Sequence, residues 1–466
     1  MRRPVFVSLV MAGVCVMRVA AQDCTSSGAD LIVSAINSVG NYNSVGEHDA
    51  FTANYVACNI GDVAAGWDTS SADHPVFAMG LYRVITDGGA SRIEQVGMSW
   101  AHHAISGALN SNFCCSGCGS SAITMFLSPR CSTTSSSGFI GTQQYFGPRY
   151  QVSASTGVFD YPFVAAATQD GTSRRLRARL SDLVGAAPTT RYFIEMQLVS
   201  AADTSDGNVV NNATTREVRL SGTPTEQALN FANGSVTHAG RAAIFEWQDV
   251  TPGVVVRSVE IPGDGVVFVA GNVTDMGNGR WRYDYAIQNL NADRGIRSLS
   301  IPIEGCTAVE QVSFRDVGYH SGDGPGDVNF DDTDWAATLG GGSVTWTTAS
   351  FDENPSANAL RWGTLYSFSF VSDASAEPSA TATLNLFRPG LTAAIEVAGL
   401  PAPLATPSPL GDLDTDCDVD LSDLARMLAT FGLCTGQPGY FRPADLTDNG
   451  CVELGDLAIL LANFGL

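Results

Sequence analysis

The chain has 466 residues, of which 47 are acidic and 25 are basic, so its formal net charge is −22 at pH 7. A surface this acidic repels phosphate backbones, which excludes nucleic acid as a partner, and it favours solubility and the binding of cations. The length is sufficient for roughly two to four domains.

Residues 1–21 are predicted to be a signal peptide. Arg2 and Arg3 precede an apolar run, and a small-residue cleavage pattern ends at Ala21. The apolar run is too short to cross a bilayer, and no later stretch of the sequence is long and apolar enough to do so. We therefore expect a secreted protein, extracellular or at the cell surface, with no transmembrane segment.

Residues 22–399 are predicted to form a mainly β body with antiparallel β-sandwich architecture. Short alternating runs recur between turn signals, without long amphipathic helices between them. Gly88-Gly89 and Asn278-Gly279 each separate two such runs, which is typical of a tight hairpin. We place a boundary near residue 240, between a Cys-containing β-rich domain at 22–240 and a β-sandwich-like domain at 241–399.

One run of the second domain shows the alternation clearly. Tyr283 and Tyr285 share one face of the predicted strand, whereas Arg282 and Asp284 take the other face. This pattern predicts a strand that is buried on one face only.

Ten cysteines follow the signal peptide, and an even number in an exported chain indicates disulfides. Three of them lie beyond the Pro-rich linker at residues 400–410, so full pairing requires one disulfide across this linker. Otherwise at least one thiol stays free on each side. The spacing alone does not fix the pairing.

One cysteine cluster also has a metal-binding interpretation. Cys115 and Cys118 have the spacing of two zinc ligands, and His102 and His103 lie shortly before them. Disulfides are the favoured interpretation, because an exported chain meets an oxidising environment. We expect these disulfides among Cys114, Cys115, Cys118 and Cys131, with no zinc and with the histidines as packing residues.

Beyond the linker, residues 411–466 repeat with a period of 33 residues, so that Asp412 corresponds to Asp445. Each copy begins with a twelve-residue segment, the first acidic loop (412–423) and the second acidic loop (445–456). A solvated acidic tail is disfavoured, because such a tail needs neither a fixed period nor the amphipathic helical pattern that follows each loop.

The acidic loops have the pattern of EF-hand-type calcium loops, which supply oxygen ligands from positions 1, 3, 5, 7, 9 and 12. Carboxylates this close together would repel one another without a cation. We predict two Ca²⁺ sites. The predicted ligands are Asp412, Asp414, Asp416, the carbonyl of Asp418, Asp420 and Asp423 in the first loop, and Asp445, Thr447, Asn449, the carbonyl of Cys451, Glu453 and Asp456 in the second.

A helix is predicted after each acidic loop, and each ends near a glycine, Gly432 or Gly465, that suits a left-handed cap. Val419 and Val452, at position 8, are predicted to pair the two loops through a short strand contact. The predicted apolar faces, which we expect to be buried against each other, consist of Leu421, Leu424, Leu428 and Phe431 in one helix and Leu454, Leu457, Leu461 and Phe464 in the other.

Two loops with Asp at position 12, each followed by one helix and preceded by none, resemble a type I dockerin module. The resemblance covers residues 411–466 and departs from the family at Cys417, where dockerin loops carry Gly. It implies a small all-α domain that folds on calcium and docks onto a cohesin-like partner. It also implies an association with secreted polysaccharide-degrading enzymes, many of which carry such modules.

No catalytic signature is present in the sequence, including the zinc-protease, nucleophile-elbow and P-loop patterns. Catalytic residues and enzyme status are therefore left open. The first hypothesis is an exported non-catalytic binding or structural protein, attached to a cohesin-like or other extracellular protein by its C-terminal module. The alternative is a secreted polysaccharide-degrading hydrolase that acts on O-glycosyl bonds, and polysaccharide is a second candidate partner under either hypothesis.

Overall fold

The computed structural model describes residues 24–104, 106–119, 122–164, 170–303, 305–404 and 407–465. The predicted signal peptide at 1–21 lies outside the described residues, as do residues 405 and 406 of the predicted linker. The described chain is mainly β, and its strand pairs are antiparallel.

The strands before residue 240 form what we call the first half of the body. In chain order they are β1 (Leu31–Ala35), β2 (Val39–Val45), β3 (His48–Ala53), β4 (Tyr55–Asn59), β5 (Ala65–Gly66), β6 (Val76–Asp87), β7 (Ala90–Met98), β8 (Ala101–His103), β9 (Phe126–Leu127), β10 (Ser132–Ser135), β11 (Phe146–Gly147), β12 (Val152–Ser153), β13 (Val158–Phe159), β14 (Leu176–Arg179), β15 (Arg191–Val199), β16 (Ala213–Thr223), β17 (Glu226–Phe231) and β18 (Thr237–His238).

The first half is built on one large sheet with the order β17-β16-β15-β6-β7-β14-β3-β2, to which β8, β11 and β18 add at the side. A smaller sheet, β1-β4-β10, packs on one face of it. Leu31 and Ala57 of the smaller sheet share a buried apolar cluster with Phe51, Met79 and Ile194 of the large sheet. The β6–β7 hairpin turns at Gly88-Gly89, which confirms the predicted turn.

The second half of the body contains the strands that follow residue 240. They are β19 (Val255–Glu260), β20 (Val266–Gly277), β21 (Arg280–Asn289), β22 (Ile296–Pro302), β23 (Val309–Arg315), β24 (Ala336–Gly340), β25 (Ser343–Thr347), β26 (Thr364–Ser372), β27 (Ala376–Leu386) and β28 (Ala394–Pro403). They form two five-stranded antiparallel sheets with the orders β19-β20-β21-β26-β23 and β24-β25-β22-β27-β28. The two sheets share one apolar core, which is the arrangement of a β-sandwich.

Strand β21 shows how the two halves join. Tyr283 and Tyr285 enter the sandwich core, as predicted, but the opposite face is also buried. There Asp284 pairs with Arg282 at 2.9 Å, and Ala286 packs in a cluster shared with Tyr82 of the first half. The prediction of a half-buried strand is therefore wrong, because this sheet lies between its sandwich partner and the first half.

Short helices fill the connections, and the two longest follow the acidic loops. The α-helices are α1 (Ser137–Ile140), α2 (Leu180–Leu183), α3 (Ala201–Ser205), α4 (Ile244–Val250), α5 (Leu421–Thr430) and α6 (Leu454–Ala462), with 3₁₀ turns at Arg149–Gln151, Val209–Asn211 and Arg442–Ala444. Among the residues that the structure describes, none of these helices is long and apolar enough to cross a membrane.

All ten cysteines from Cys24 onward are paired in disulfides. The pairs are Cys24–Cys115, Cys58–Cys114, Cys118–Cys131, Cys306–Cys417 and Cys434–Cys451. Only Cys118–Cys131 lies wholly within the predicted cluster of four. The other two members of the cluster, Cys114 and Cys115, are bonded to Cys58 and Cys24, near the start of the body. The fourth pair is the bridge across the linker that full pairing requires.

Candidate metal centre

The last position of each acidic loop fastens the loop to its helix. Asp423 and Asp456 are fully buried, and each occupies the third position of the helix that follows. Oδ2 of Asp423 accepts the N–H of Asp420 at 2.8 Å, and Oδ2 of Asp456 accepts the N–H of Glu453 at the same distance. These hydrogen bonds satisfy backbone donors that a helix leaves free at its start.

The other oxygen of the same carboxylate fastens the beginning of the loop. Oδ1 of Asp423 accepts the N–H groups of Leu413 at 2.6 Å and Asp414 at 3.1 Å. Oδ1 of Asp456 accepts both the N–H of Thr447 at 2.7 Å and its hydroxyl at 2.9 Å. Each loop is thus closed into a ring around its twelfth residue.

The first position of each loop binds the backbone of the sixth. Oδ2 of Asp412 accepts the N–H of Cys417 at 3.2 Å, and Oδ2 of Asp445 accepts the N–H of Gly450 at 2.8 Å. The backbone at Cys417 and Gly450 is left-handed, with φ of +78° and +91°. A glycine adopts this conformation freely, whereas a residue with a Cβ loses roughly 1 to 2 kcal/mol.

The carboxylates of the first acidic loop are crowded and poorly compensated. Oδ1 of Asp414 is buried and accepts no hydrogen bond from the described residues, and its other oxygen lies 3.8 Å from Arg426. Burial and the neighbouring Asp416 raise the pKa of Asp414, and the same two causes raise the pKa of Asp418. Ionisation is therefore disfavoured at these two carboxylates, whereas backbone hydrogen bonds outweigh burial at Asp423 and lower its pKa.

The first acidic loop brings carboxylates together at the spacing of a cation site. Oxygens of Asp412, Asp414 and Asp423 all lie within 4.8 Å of one another, and so do those of Asp416, Asp418 and Asp423. Asp420 instead caps α5, where its side chain accepts the N–H of Ser422 at 2.6 Å. Hard, oxygen-rich surroundings with an unpaired carboxylate oxygen suit Ca²⁺ better than a soft metal.

The second acidic loop satisfies its own side chains more fully. Asn449 donates to Glu453 at 2.8 Å, and Tyr440, which the sequence analysis missed, donates to Asp445 at 2.8 Å. Burial raises the pKa values of Asp445 and Asp456, but their hydrogen bonds outweigh it and leave both lowered. Among the described residues, no three carboxylates of this loop form a close group.

The side chain of Cys451, at the seventh position of the second loop, is joined to Cys434. The segments around this disulfide also pair, since Thr435 N–H donates to the carbonyl of Gly450 at 2.8 Å. Cys451 can therefore act only through its carbonyl oxygen, the atom predicted as its ligand.

The core beneath the two loops differs from the predicted one. Val419 and Val452 are fully buried, but their carbonyls accept hydrogen bonds from Gly465 at 2.8 Å and Gly432 at 2.7 Å. The predicted strand contact between the two valines is therefore wrong. Each loop pairs instead with the chain that leaves the other loop's helix.

The helix faces also differ from the prediction. Met427 and Leu460 are the buried centres of the two helices, with Leu424 and Leu457 packed partly beside them. The other residues of the predicted faces are exposed, so the prediction that these faces are buried against each other is wrong for them. They are Leu421 and Leu428 of α5 with Phe431 directly after it, and Leu454 and Leu461 of α6 with Phe464 two residues after it.

The zinc interpretation of the body cysteines is excluded by their pairing, because a disulfide sulfur is not a thiolate ligand. His102 and His103 are buried in β8. His103 lies 3.0 Å from His74, which itself contacts the carbonyl of Ser71 at 2.9 Å. Burial lowers the pKa values of His102 and His103 to about 3, which favours the neutral form of both rings.

Comparison of the chain with protein-family models and with characterised proteins finds no match. The interpretation of the acidic loops therefore depends on their own geometry. The hydrogen-bond patterns of the first, third, ninth and twelfth positions correspond between the two loops, and carboxylates gather closely in the first loop alone.

Proposed function

We propose that this protein is exported and that residues 411–466 form a calcium-binding, dockerin-like module that attaches the β-rich body to a partner. The single observation that carries the proposal is the close group of carboxylates in the first acidic loop, with the unpaired buried oxygen of Asp414 among them. Such a group is stabilised by a divalent cation and destabilised without one.

Calcium takes about six to eight oxygen ligands, and each acidic loop offers six candidate groups. The residues that would hold it are Asp412, Asp414, Asp416, Asp418, Asp420 and Asp423 in the first loop, and Asp445, Thr447, Asn449, Cys451, Glu453 and Asp456 in the second, with Asp418 and Cys451 acting through their carbonyls. Bound calcium supplies positive charge, and the loops in turn fix the starts of α5 and α6.

The docking surface in this proposal is the exposed apolar stripe on α5 and α6. Leu421 and Leu454 are 70% and 74% exposed, and each stands at the start of its helix, 33 residues apart in the repeat. The six exposed residues of the stripe include no acid, although the segment around them is strongly acidic. A cohesin-like partner with an apolar surface would remove this stripe from water.

Export is supported by the body as well as by the predicted signal peptide. Five disulfides and the absence of a membrane-spanning helix among the described residues fit an extracellular protein. Disulfides of this number persist in oxidising compartments and are rare in the cytosol.

The hydrolase is the second candidate, and one carboxylate favours it. Asp323 lines a cavity between the two halves of the body, and burial raises its pKa to about 6, as in a general acid. However, both of its oxygens already accept hydrogen bonds, from Trp100 and from His320 N–H. Asp293, in the same cavity, accepts four hydrogen bonds from residues 153–155. We therefore propose a non-catalytic body.

Calcium dependence is tested by circular dichroism and calorimetry of the full mature chain. We expect chelation by EGTA to lower the helical signal and re-addition of calcium to restore it, because the loops fix the helix starts. Calorimetry should show calcium binding that Asp412→Ala weakens, whereas Asp327→Ala, at an exposed carboxylate of the body, should leave it unchanged. No calcium binding to the wild-type chain would refute the module.

Docking is tested with a purified type I cohesin domain immobilised on a sensor surface. We expect binding in calcium, loss in EGTA, and weakening by the Leu421→Asp, Leu454→Asp double variant, whose substitutions are at exposed positions. Absence of binding in calcium would refute a cohesin-like partner. A screen of the mature chain against neutral polysaccharides tests the body, and turnover of any of them would overturn the non-catalytic assignment.

A further inference from the structure

A cavity of about 420 Å³ lies where the two halves of the body meet. Its volume falls within the range of about 300 to 1,000 Å³ that small-molecule sites occupy, and such sites are common between packed units. The first half contributes the segment Tyr150–Ser153 and β13, and the second half contributes residues around Tyr319 and Trp362. The cavity is therefore formed only when the two halves are packed together.

Aromatic rings make up much of the cavity wall. Phe159 and Trp362 are almost fully buried and pack in one apolar cluster, and Tyr150, Tyr319 and Phe330 line the same space. The indole N–H of Trp362 donates to the carbonyl of Arg149 at 3.1 Å, which fixes the ring's position. Since Phe159 and Trp362 are themselves covered by protein, the partly exposed rings of Tyr150 and Tyr319 offer the apolar surface, at little conformational cost.

The charges inside the cavity are held by the protein itself. Arg149 donates to the carbonyls of Ser99, Met79 and Gly363 at 2.7 to 2.9 Å, and its burial lowers its pKa. Arg361 donates to backbone carbonyls and stacks 3.6 Å above the ring of Phe330. The charges of these two cations are balanced in number by those of Asp293 and Asp323, whose carboxylate oxygens also accept hydrogen bonds from the protein. The interior carries no excess charge for an ionic ligand.

Several polar groups of the lining remain unpaired. The side-chain oxygen of Gln151 is buried and accepts no hydrogen bond from the described residues. The Tyr150 hydroxyl and the exposed side chains of Asp160 and Arg388 also make no hydrogen bond or ion pair within the described chain. They provide both donors and acceptors for a ligand that carries hydroxyl groups.

Further aromatic rings lie beside the cavity wall, since Phe163 packs against the apolar cluster of Phe159 and Trp362. Tyr161 follows the cavity residue Asp160, is 44% exposed, and its ring lies 6.5 Å from that of Phe163. Tyr145 is 54% exposed, and its ring packs edge-on against the ring of Phe163, with 6.0 Å between the ring centroids. A ligand longer than the cavity could therefore lie against further rings.

We infer that this cavity and its aromatic rim bind a neutral oligosaccharide. A sugar ring has an apolar C–H face that packs on an aromatic ring, and hydroxyl groups that pair with the free donors and acceptors named above. An acidic saccharide is disfavoured, because the matched interior charges offer it no net attraction and the chain as a whole carries −22. This site is separate from the acidic loops and does not depend on calcium.

The test is isothermal titration of the full mature chain with cellohexaose, xylohexaose, mannohexaose and laminarihexaose, and with hexagalacturonate as the acidic comparison. We expect at least one neutral hexasaccharide to bind, equally well in calcium and in EDTA. Tyr161→Ala and Asp160→Ala should each weaken binding about ten-fold or more, the effect of losing one well-packed contact. Met276→Ala, which removes a similarly exposed side chain from the β20–β21 hairpin, is the matched control and should bind as the wild type does.

Three results would overturn the inference. The first is that none of the four neutral hexasaccharides binds at millimolar concentration, or that only hexagalacturonate does. The second is that a neutral hexasaccharide binds but neither Tyr161→Ala nor Asp160→Ala changes its affinity. The third is loss of binding in EDTA, which would place the saccharide at the acidic loops instead. Since the calcium and cohesin experiments do not involve this cavity, failure of one proposal is distinguishable from failure of the other.

Discussion

Cys306 and Cys417 are joined by a disulfide, with their Cα atoms 5.2 Å apart, and this bond ties the first acidic loop to the body. Cys306 lies between β22 and β23, whereas Cys417 is the sixth residue of the loop, where the backbone is left-handed. The disulfide with Cys306 explains why a cysteine, and not a glycine, occupies this left-handed position. The module is thus attached by two covalent routes, the linker and the disulfide.

We predict that cutting the linker alone does not release the module. With a specific protease site inserted between Pro407 and Ser408, cleavage should leave one band on a non-reducing gel and two bands after reduction. The matched control is the Cys306→Ser, Cys417→Gly double variant, whose fragments should separate without reductant. Separation of the wild-type fragments under non-reducing conditions would contradict this disulfide.

We predict that the first acidic loop binds calcium more tightly than the second. It offers five side-chain carboxylates at ligand positions, whereas the second offers three and pairs Asn449 with Glu453. More ligand charge raises affinity, and this effect should outweigh the strain of roughly 1 to 2 kcal/mol at Cys417. Asp412→Ala should therefore remove the stronger calorimetric phase and Asp445→Ala the weaker one. The opposite assignment of phases would show that backbone strain dominates.

Two adjacent leucines of α6 should differ sharply in their effect on stability. Leu460 is fully buried in the core of the module, whereas Leu461 is 52% exposed. Leu460→Ala should destabilise the module by about 2 to 5 kcal/mol, and Leu461→Ala by less than about 0.5 kcal/mol. Denaturant unfolding followed by helical circular dichroism in saturating calcium measures both. A larger loss for Leu461→Ala than for Leu460→Ala would support the helix face predicted from the sequence instead.

The buried Asp203 of α3 should make the stability of the body depend on pH. Burial, partly offset by hydrogen bonds from Leu31 N–H at 2.7 Å and Asn212 at 2.6 Å, raises its pKa to about 8. An unfolded aspartate titrates near pH 3.9, so the folded state holds more protons between about pH 4 and 8. The contribution of Asp203 to the stability of the folded body is therefore fully present below about pH 4 and is lost as the pH rises from about 4 to 8.

Asp203→Asn tests this dependence, because the amide keeps the shape of the side chain and does not titrate. The melting temperature of the wild type should fall more steeply than that of the variant between about pH 5 and pH 8. Asp62→Asn, at an exposed carboxylate, is the control and should follow the wild type. Parallel curves for wild type and Asp203→Asn would contradict the raised pKa.

Local sequence signals were sufficient for the elements that depend on neighbours in the chain. The hairpins at Gly88-Gly89 and Asn278-Gly279 form where a tight turn needs residues with positive φ. Gly432 and Gly465 also take the left-handed conformation, two and three residues after the last residues of α5 and α6. The even cysteine count and its division by the linker also indicated the bridge that Cys306 forms.

Tertiary structure alone decided which surfaces became interior. The leucines of α5 and α6 allow more than one apolar stripe, and only packing against Val419, Val452 and the chain around Tyr440 selects Met427 and Leu460 as the buried ones. Strand β21 likewise alternates in sequence, but the second sheet of the sandwich covers one of its faces and the first half of the body covers the other. No local sequence pattern predicts the second of these contacts.

The sequence by itself determined the mainly β body, the duplicated acidic loops and the positions of their carboxylates, because spacing along the chain fixes these features. The disulfide partners, the exposed stripe on the last two helices and the cavity between the two halves were decided only by the tertiary structure. Each of these depends on distances between segments far apart in the chain, which are set by how the layers pack and not by any local periodicity.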